Sequence, residues 1–347
     1  MASPTDKSAP RLRRKTDSVT MQDVARLAGC ATSTVSLFLR KPDLVKGKTG
    51  AKITAAIERL GYVPNMMAGG LAAAAATRVV SLIVPSLRNA FFAATADALQ
   101  AALAQAGVQL LLGHNEYDPA REEALVRASL AWSPAALVLT GLEHSRGTRQ
   151  MALSRGTPVI EMWELGANPL DMLVGFDHRA VGAAAARHLR AAGCKNVAFI
   201  GARLQEDRRA AQRGSGVIAA LQQEGASARQ AIAPQPASVA VGEALLAELL
   251  ERDPKIDGVV CSNDWIALGV LFECQKRGIA VPERLKIIGF GDLPFAAATY
   301  PALSTIRPPG ERIGQEVARL ALAALNGETV AQKTVDVGFE LVRRGTS

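Results

Sequence analysis

No stretch of about eighteen residues in this 347-residue chain is both apolar and free of charge, which excludes a membrane-spanning helix of ordinary length. The N-terminus is polar and basic, not a charged tip followed by an apolar segment, so no export signal is expected and the chain should remain in the cytoplasm. Cysteine is scarce. Cys30, Cys194, Cys261 and Cys274 show neither CxxC nor Cys/His spacing, which argues against a zinc site and a disulfide framework and leaves four small apolar residues. The signatures of catalysis are lacking too: there is no P-loop, no GxSxG and no HExxH, and His114, His144, His178 and His188 have no evident nucleophile partner. No catalytic residue, metal or cofactor is therefore expected.

What is present is a globular composition, 49% apolar, in a chain long enough for two or three domains. Its formal net charge of +8 is unevenly spread. Residues 1–72 hold twelve Lys and Arg against five Asp and Glu, a net of +7, so the remainder is nearly neutral at +1. A small basic module joined to a large neutral one suggests that the first meets phosphate and the second does not.

Residues 1–18 are rich in Ser, Pro, Lys and Arg without periodicity and read as a flexible basic arm. Thr20 is a good N-cap for a short helix, Met21 to Leu27, with Met21, Val24, Ala25 and Leu27 on one face. Gly29 then closes that helix in the left-handed conformation. A second helix, about Ala31 to Leu39, and a third, Gly50 to Leu60, complete a helix-turn-helix plan over residues 19–64. From Arg78 onward, apolar runs at Val79–Val84, Val108–Leu112, Ala136–Thr140, Val159–Met162, Val197–Ile200, Gly258–Cys261 and Lys286–Phe290 alternate with amphipathic Ala-rich stretches. That alternation implies βαβ units and doubly wound parallel sheets buried on both faces. Ligands of such sheets bind beyond the carboxyl ends of the strands, which points to Pro85–Phe92, Thr140–Glu143, Trp163, Asp177, Gly201–Arg213, Cys261–Asp264 and Gly289–Asp292.

The segment from Thr20 to Ser36, Thr-Met-Gln-Asp-Val-Ala-Arg-Leu-Ala-Gly-Cys-Ala-Thr-Ser-Thr-Val-Ser, resembles the DNA-binding headpiece of the lactose/galactose repressor family, as does Leu60-Gly-Tyr-Val-Pro-Asn65. Ser262-Asn-Asp264, Gly278-Ile-Ala-Val-Pro282, Ile287-Ile-Gly-Phe-Gly-Asp292 and Pro301-Ala-Leu-Ser-Thr-Ile306 resemble its effector domain, so the likeness runs over residues 19–345. Within the family, Pro85–Phe92, Gly201–Leu204 and Phe272–Gln275 look most like the gluconate-operon repressors.

The resemblance implies a small all-α helix-turn-helix headpiece, a hinge helix and linker at 65–77, and a periplasmic-binding-protein-like α/β effector and dimerisation domain at 78–347. It divides the latter into 78–176 with 307–335 and 177–306 with 336–347. DNA contacts are then expected from Thr32, Ser33 and Ser36 on the second helix, over a core containing Val35 and Leu39. Thr20 and Thr49 are read as helix caps, with or without phosphate contact by the neighbouring N–H groups. Leu37 stands where the family usually has Arg; it either touches a thymine methyl, loosens the readout, or has no role. Asn65 and the hinge follow, in which Leu71 would wedge into the minor groove; Gly69 and Gly70 each cost about 1 kcal/mol of helix, so the hinge should fold only on DNA.

Effector contacts implied by the resemblance are Ser86, Phe91 or Phe92, Trp163, Asp177, Arg213, Asn263, Asp264 and the turn at Gly291-Asp292. Amides and carboxylates suit hydroxyl groups, and an aromatic face suits the apolar side of a sugar. Asp264 is either a ligand contact, a helix N-cap, or both. Sugar-binding relatives usually carry Asp at the position of Gly291, and losing that charge favours an anionic effector whose carboxylate is held by Arg213, with Arg203, Arg208 and Arg209 near the same strand end; a solvated helix face is the other reading of these arginines and the better one for Arg208 and Arg209. The expected protein is a transcriptional repressor, a homodimer or dimer of dimers, that binds double-stranded operator DNA and is released by a sugar or sugar acid. Its rivals are a periplasmic-type sugar-binding protein without regulatory role, and a global regulator controlled by a protein partner.

Overall fold

The computed structural model describes residues 19–45, 47–62, 78–87, 90–227 and 229–347, and the chain divides into two units, 1–75 and 76–347. The first contains α1 (Met21–Ala28), α2 (Thr32–Arg40) and α3 (Lys48–Leu60), with a 3-10 turn at Pro42–Leu44. Its core is Val24, Ala25, Ala28, Val35, Ile53 and Ala56, backed by Met21, Phe38, Leu39 and Leu60. On α1 the apolar face runs through positions 21, 24, 25 and 28, the helical spacing that Ala28 completes. Leu27, expected on that face, is 41% exposed. Gly29, at φ 67°, ends α1 and accounts for the sharp turn into α2.

The second unit contains two six-stranded sheets. β1 (Val79–Val84), β2 (Gln109–His114), β3 (Ala136–Thr140), β4 (Val159–Met162), β5 (Met172–Gly175) and β11 (Thr334–Asp336) form the first, in the order β11-β5-β4-β3-β1-β2. β6 (Val197–Ala202), β7 (Arg229–Ala233), β8 (Gly258–Cys261), β9 (Lys286–Phe290), β10 (Ser304–Arg307) and β12 (Glu340–Val342) form the second, in the order β12-β10-β9-β8-β6-β7. Every pairing is parallel except β10 with β12. The helices between strands are α4 (Ala90–Gln105), α5 (Pro119–Ala131), α6 (Arg146–Ser154), α7 (His178–Ala191), α8 (Arg208–Gln223), α9 (Val239–Arg252), α10 (Asp264–Arg277) and α11 (Gly310–Leu325). Buried apolar clusters lie on both faces of each sheet, as doubly wound architecture requires. Among the described residues no helix is long and apolar enough to cross a membrane.

Two features of packing position the site. The core of the first sheet continues into Phe290 and Ile306 of the second, so the two halves are joined through apolar contact at that end. Helices α7 and α8 also approach closely, because a side chain at Gly182 would collide with the Arg213 carbonyl and one at Gly216 with the Arg179 carbonyl. Their contact fixes the first turns of α8 against the carboxyl ends of the strands.

Candidate functional site

In the headpiece, Thr32 and Ser33 are exposed and Ser36 and Leu37 half-buried on α2, while Val35 points into the core. Thr20 is the N-cap of α1 in a reciprocal capping box: its hydroxyl accepts from the Asp23 N–H at 3.3 Å, and its own N–H donates to Asp23 Oδ2 at 2.9 Å, an oxygen to which the hydroxyl also donates at 2.6 Å. The same hydrogen bonds hold the Asp23 carboxyl below its ordinary pKa. Thr49 is not a cap. Helix α3 starts at Lys48 with Gly47 before it at φ 76°, a conformation closed to Thr, so Thr49 falls in the first turn. Neither α2 nor α3 has a side-chain cap, which leaves their first N–H groups available to phosphate. Asn65 and Leu71 lie outside the described residues.

In the larger unit, backbone strain gathers at the strand ends. Glu116, Tyr117, Trp163, Arg203 and Asp292, all beyond the C-termini of strands, have positive φ between 48° and 70°. Such conformations persist only where surrounding structure enforces them. Trp163 among these residues belongs to an aromatic cluster in which Phe91 lies 4.6 Å from Phe92, 5.1 Å from Trp163 and 6.0 Å from Phe290, measured between ring centroids. Phe92 and Trp163 are buried in it, and the Trp163 indole N–H donates to Thr95 Oγ1 at 3.2 Å. Asp177 caps α7, its Oδ1 accepting from the N–H groups of Arg179 and Ala180. Asn263 caps α10, accepting from Ile266 N–H.

Asp264 is therefore the first residue of α10 and not its cap. Its carboxylate is fully buried and accepts from Thr305 Oγ1 at 2.6 Å and from Leu293 N–H at 2.8 Å. Burial raises its pKa to about 6 against the opposing effect of those bonds. Asp292 is paired as well, with Arg307 at 2.6 Å and Arg344 at 2.7 Å.

Arg213 is buried. Its Nη1 donates to His178 Nδ1 at 3.0 Å, its Nη2 to the Ser262 carbonyl at 2.8 Å, and its guanidinium lies 3.9 Å from the Phe290 ring centroid. Burial pulls its pKa down to about 10, and burial with the Arg213 charge keeps His178 neutral, its Nε2–H donating to the Trp163 carbonyl. The two terminal nitrogens that would make a fork for a ligand carboxylate already serve protein acceptors. Only Nε is buried without a partner.

A cavity of about 240 Å³ lies beside this cluster, below the roughly 300–1,000 Å³ of sites for drug-sized ligands and so suited to a small metabolite. None of the nine residues singled out from sequence lines it, although Pro85 and Glu164, the neighbours of Ser86 and Trp163, do. Its wall also includes Asn115, Tyr117, Glu122, Thr140, Gly141, Glu143, Arg208 and Arg209. The carboxylates are individually placed: Glu122 holds His144 Nδ1 at 2.8 Å, Glu143 pairs with Arg208, and Glu164 accepts from Gln212 Nε2. His144 sits between Glu122 and Glu161, 3.3 Å from the latter. Burial alone would lower its pKa, but the two carboxylates outweigh that and raise it to about 9. Arg208 is half-exposed, as expected of a solvated helix face. Arg209 is not: only 8% of it is exposed, because its guanidinium lies against Gly141, where any side chain would collide with it. Among the described residues no group of His, Cys, Asp and Glu is placed to hold a metal.

This combination, a helix-turn-helix unit and a two-sheet α/β unit with a polar cavity at its strand ends, defines a DNA-binding regulator that answers to a small molecule. Residues 20–65 match the model of bacterial regulatory proteins of the lacI family, and residues 186–347 that of the periplasmic binding protein-like domain. The HTH-type transcriptional regulator GntR of Pseudomonas aeruginosa is 40% identical over 333 residues, covering 95% of this chain and 96% of that protein. GntR of Escherichia coli K12 is 33% identical over 94% of this chain and 98% of its own length. The crystal structure of a LacI-family transcriptional regulator from Silicibacter pomeroyi superposes with a TM-score of 0.89 at 30% identity, covering 94% of this chain and 99% of that one. The chain belongs to the lacI family and is a transcriptional regulator, not an enzyme.

Proposed function

We propose that this regulator is a cytoplasmic homodimeric repressor whose two headpieces read a pseudo-palindromic operator and are released when a small sugar acid of the gluconate class binds the α/β unit. The observation that carries this reading is the cavity itself, where carboxylate, amide and guanidinium groups converge at the ends of two parallel sheets. Carboxylates and amides serve hydroxyl groups, and a guanidinium serves an acid. The motifs that resemble gluconate-operon repressors, and the relatives named GntR, support the same effector class.

On this reading Thr32, Ser33, Ser36 and Leu37 meet the major groove, and the unsatisfied N–H groups at the starts of α2 and α3 meet phosphate. Asn65 and Leu71 belong to the hinge that two subunits share at the operator centre, where Leu71 kinks the DNA. Phe91, Phe92, Trp163, Asp177, Arg213, Asn263, Asp264 and Asp292 belong to the surrounding strand-end shell that effector binding rearranges, and Ser86 adjoins the cavity through Pro85. Effector binding needs to change the balance between DNA-bound and released forms by only a few kcal/mol. The test is a thermal-shift screen of residues 76–347 against gluconate, ketogluconates, glucose and ribose. A shift with the acids that exceeds any with the neutral sugars is expected, and the reverse order removes the sugar-acid assignment.

A further inference from the structure

Arg208, Arg209 and Arg213 stand within two turns of α8, yet the structure gives them three different fates. Arg208 is paired with Glu143 near solvent, and Arg213 is locked between His178, Ser262 and Phe290. Arg209 lines the cavity, is more than nine-tenths buried, and makes no hydrogen bond or ion pair among the described residues; its guanidinium lies against Gly141, with its central carbon 5.9 Å from the Phe92 ring centroid. Its unpaired guanidinium borders the cavity, and its five donors in a fixed plane match a carboxylate. Glu164 and Arg209 both lie against Gly141, so guanidinium and acceptor stand at the same end of the cavity, and Asn115 and Glu122 line it as well. Four glutamates line the cavity; Glu122 faces His144 and Glu143 pairs with Arg208, which leaves Glu164 and Glu206 as the acidic neighbours that Arg209 must outweigh.

We propose that Arg209, and not Arg213, is the acid-reading residue of the cavity: it takes the carboxylate of a short polyhydroxylated monocarboxylic acid in a two-pronged contact, while Glu164 and Asn115 take hydroxyls further along the chain. Arg213 is then a positioning residue, holding the α8 start to the Ser262 carbonyl and through His178 to the Trp163 backbone. The assignment rests on the sugar-acid reading given above and names the residue that enforces it.

Calorimetry on the full-length chain, with D-gluconate and the neutral isostere D-gluconamide, tests it. The unaltered protein should prefer gluconate. Arg209→Gln should weaken gluconate by about thirtyfold or more while changing gluconamide by less than about threefold, because removing one partner of a buried charge-assisted contact acts only on the charged ligand. Arg209→Lys, which keeps the charge without the fork, should lose about tenfold for gluconate alone, and it carries the test if Arg209→Gln fails to fold. If the unaltered protein prefers gluconate and both variants retain that preference, the Arg209 assignment is overturned and the sugar-acid reading stands. Equal loss of both ligands makes Arg209 a purely structural residue and also overturns it. If the unaltered protein binds gluconamide as well as gluconate, the sugar-acid reading and the assignment fail together.

Discussion

The headpiece and the α/β unit expose their working residues in opposite ways. In the headpiece the candidate contacts occupy the outside of α2, a helix whose inside is already fixed by Val35 and Leu39, so function and core are read from one short stretch. In the larger unit the cavity is assembled from strand ends and loops spread from Pro85 to Arg209. Several of those residues take their character from a partner far away in sequence, as Glu143 does from Arg208 and Glu164 from Gln212. A local surface can be inferred from local spacing; a cleft depends on which of its charged groups the fold has already engaged.

The comparison is broken most severely by separating the two regions. Residues 76–347 alone should retain effector binding and lose operator binding by about a thousandfold or more, since nearly all net positive charge lies upstream and specific binding exceeds non-specific by at least that factor. Tight operator binding by that fragment in a mobility-shift assay at physiological salt would contradict the division.

A smaller effect should be confined to the α/β unit. Gly182→Ala places a methyl group against the Arg213 carbonyl and forces α7 and α8 apart, at a cost of about 1–3 kcal/mol or somewhat more. Calorimetric melting should show a lowered midpoint for that unit and weaker effector binding, with headpiece helicity intact. An unchanged midpoint would mean that the helix contact yields easily.

Acidity sharpens the same contrast, because His114, His144, His178 and His188 all lie in the larger unit. His144 has a folded pKa of about 9, above the ordinary 6.5, so its protonation stabilises the fold fully below pH 6.5 and that contribution is lost as the pH rises towards 9. The loss should be on the order of 1–3 kcal/mol, visible as a falling melting temperature between pH 6.5 and 9. His144→Gln should flatten this slope. A slope equally steep in the variant would place its origin elsewhere. The smallest effect belongs to the headpiece: Thr20→Ala removes the capping box of α1 and should cost about 1 kcal/mol of headpiece stability, read by the helical circular-dichroism signal of residues 1–75 on heating.

The sequence makes the three helices of the headpiece and the apolar strands legible for a common reason: burial on a fixed period leaves a pattern. β1, β3, β4, β8 and β9 match apolar runs residue for residue. The strands outside those runs are β5, β7, β10, β11 and β12; β5 is a short apolar run, Met172–Gly175, that the alternation misses, β11 and β12 are edge strands of three residues, and β7 is an edge strand half open to solvent, beginning with Arg229-Gln230. The strand-end rule locates Thr140 to Glu143 and the start of α8 as cavity wall, but the end of β2 escapes it, because that run is taken to stop at Leu112 when the strand continues to His114 and delivers Asn115 and Tyr117. Roles within the cleft are harder still. Arg209 and Arg213 are four residues apart on one helix, with nothing in the sequence between them to say that the second is engaged by His178 and Ser262 and the first is not. Thr49 shows the same limit on a smaller scale, since only the backbone at Gly47 decides where α3 begins.

The central claim, that one chain couples operator binding to a small sugar acid, is tested most directly by fluorescence anisotropy of the full-length protein on its operator during titration with gluconate and, separately, glucose. The account predicts that gluconate raises the operator dissociation constant by about tenfold or more, consistent with a coupling of 1–3 kcal/mol, and that glucose at the same concentrations leaves it unchanged. Operator affinity unaffected by gluconate, or released more readily by glucose, would contradict it.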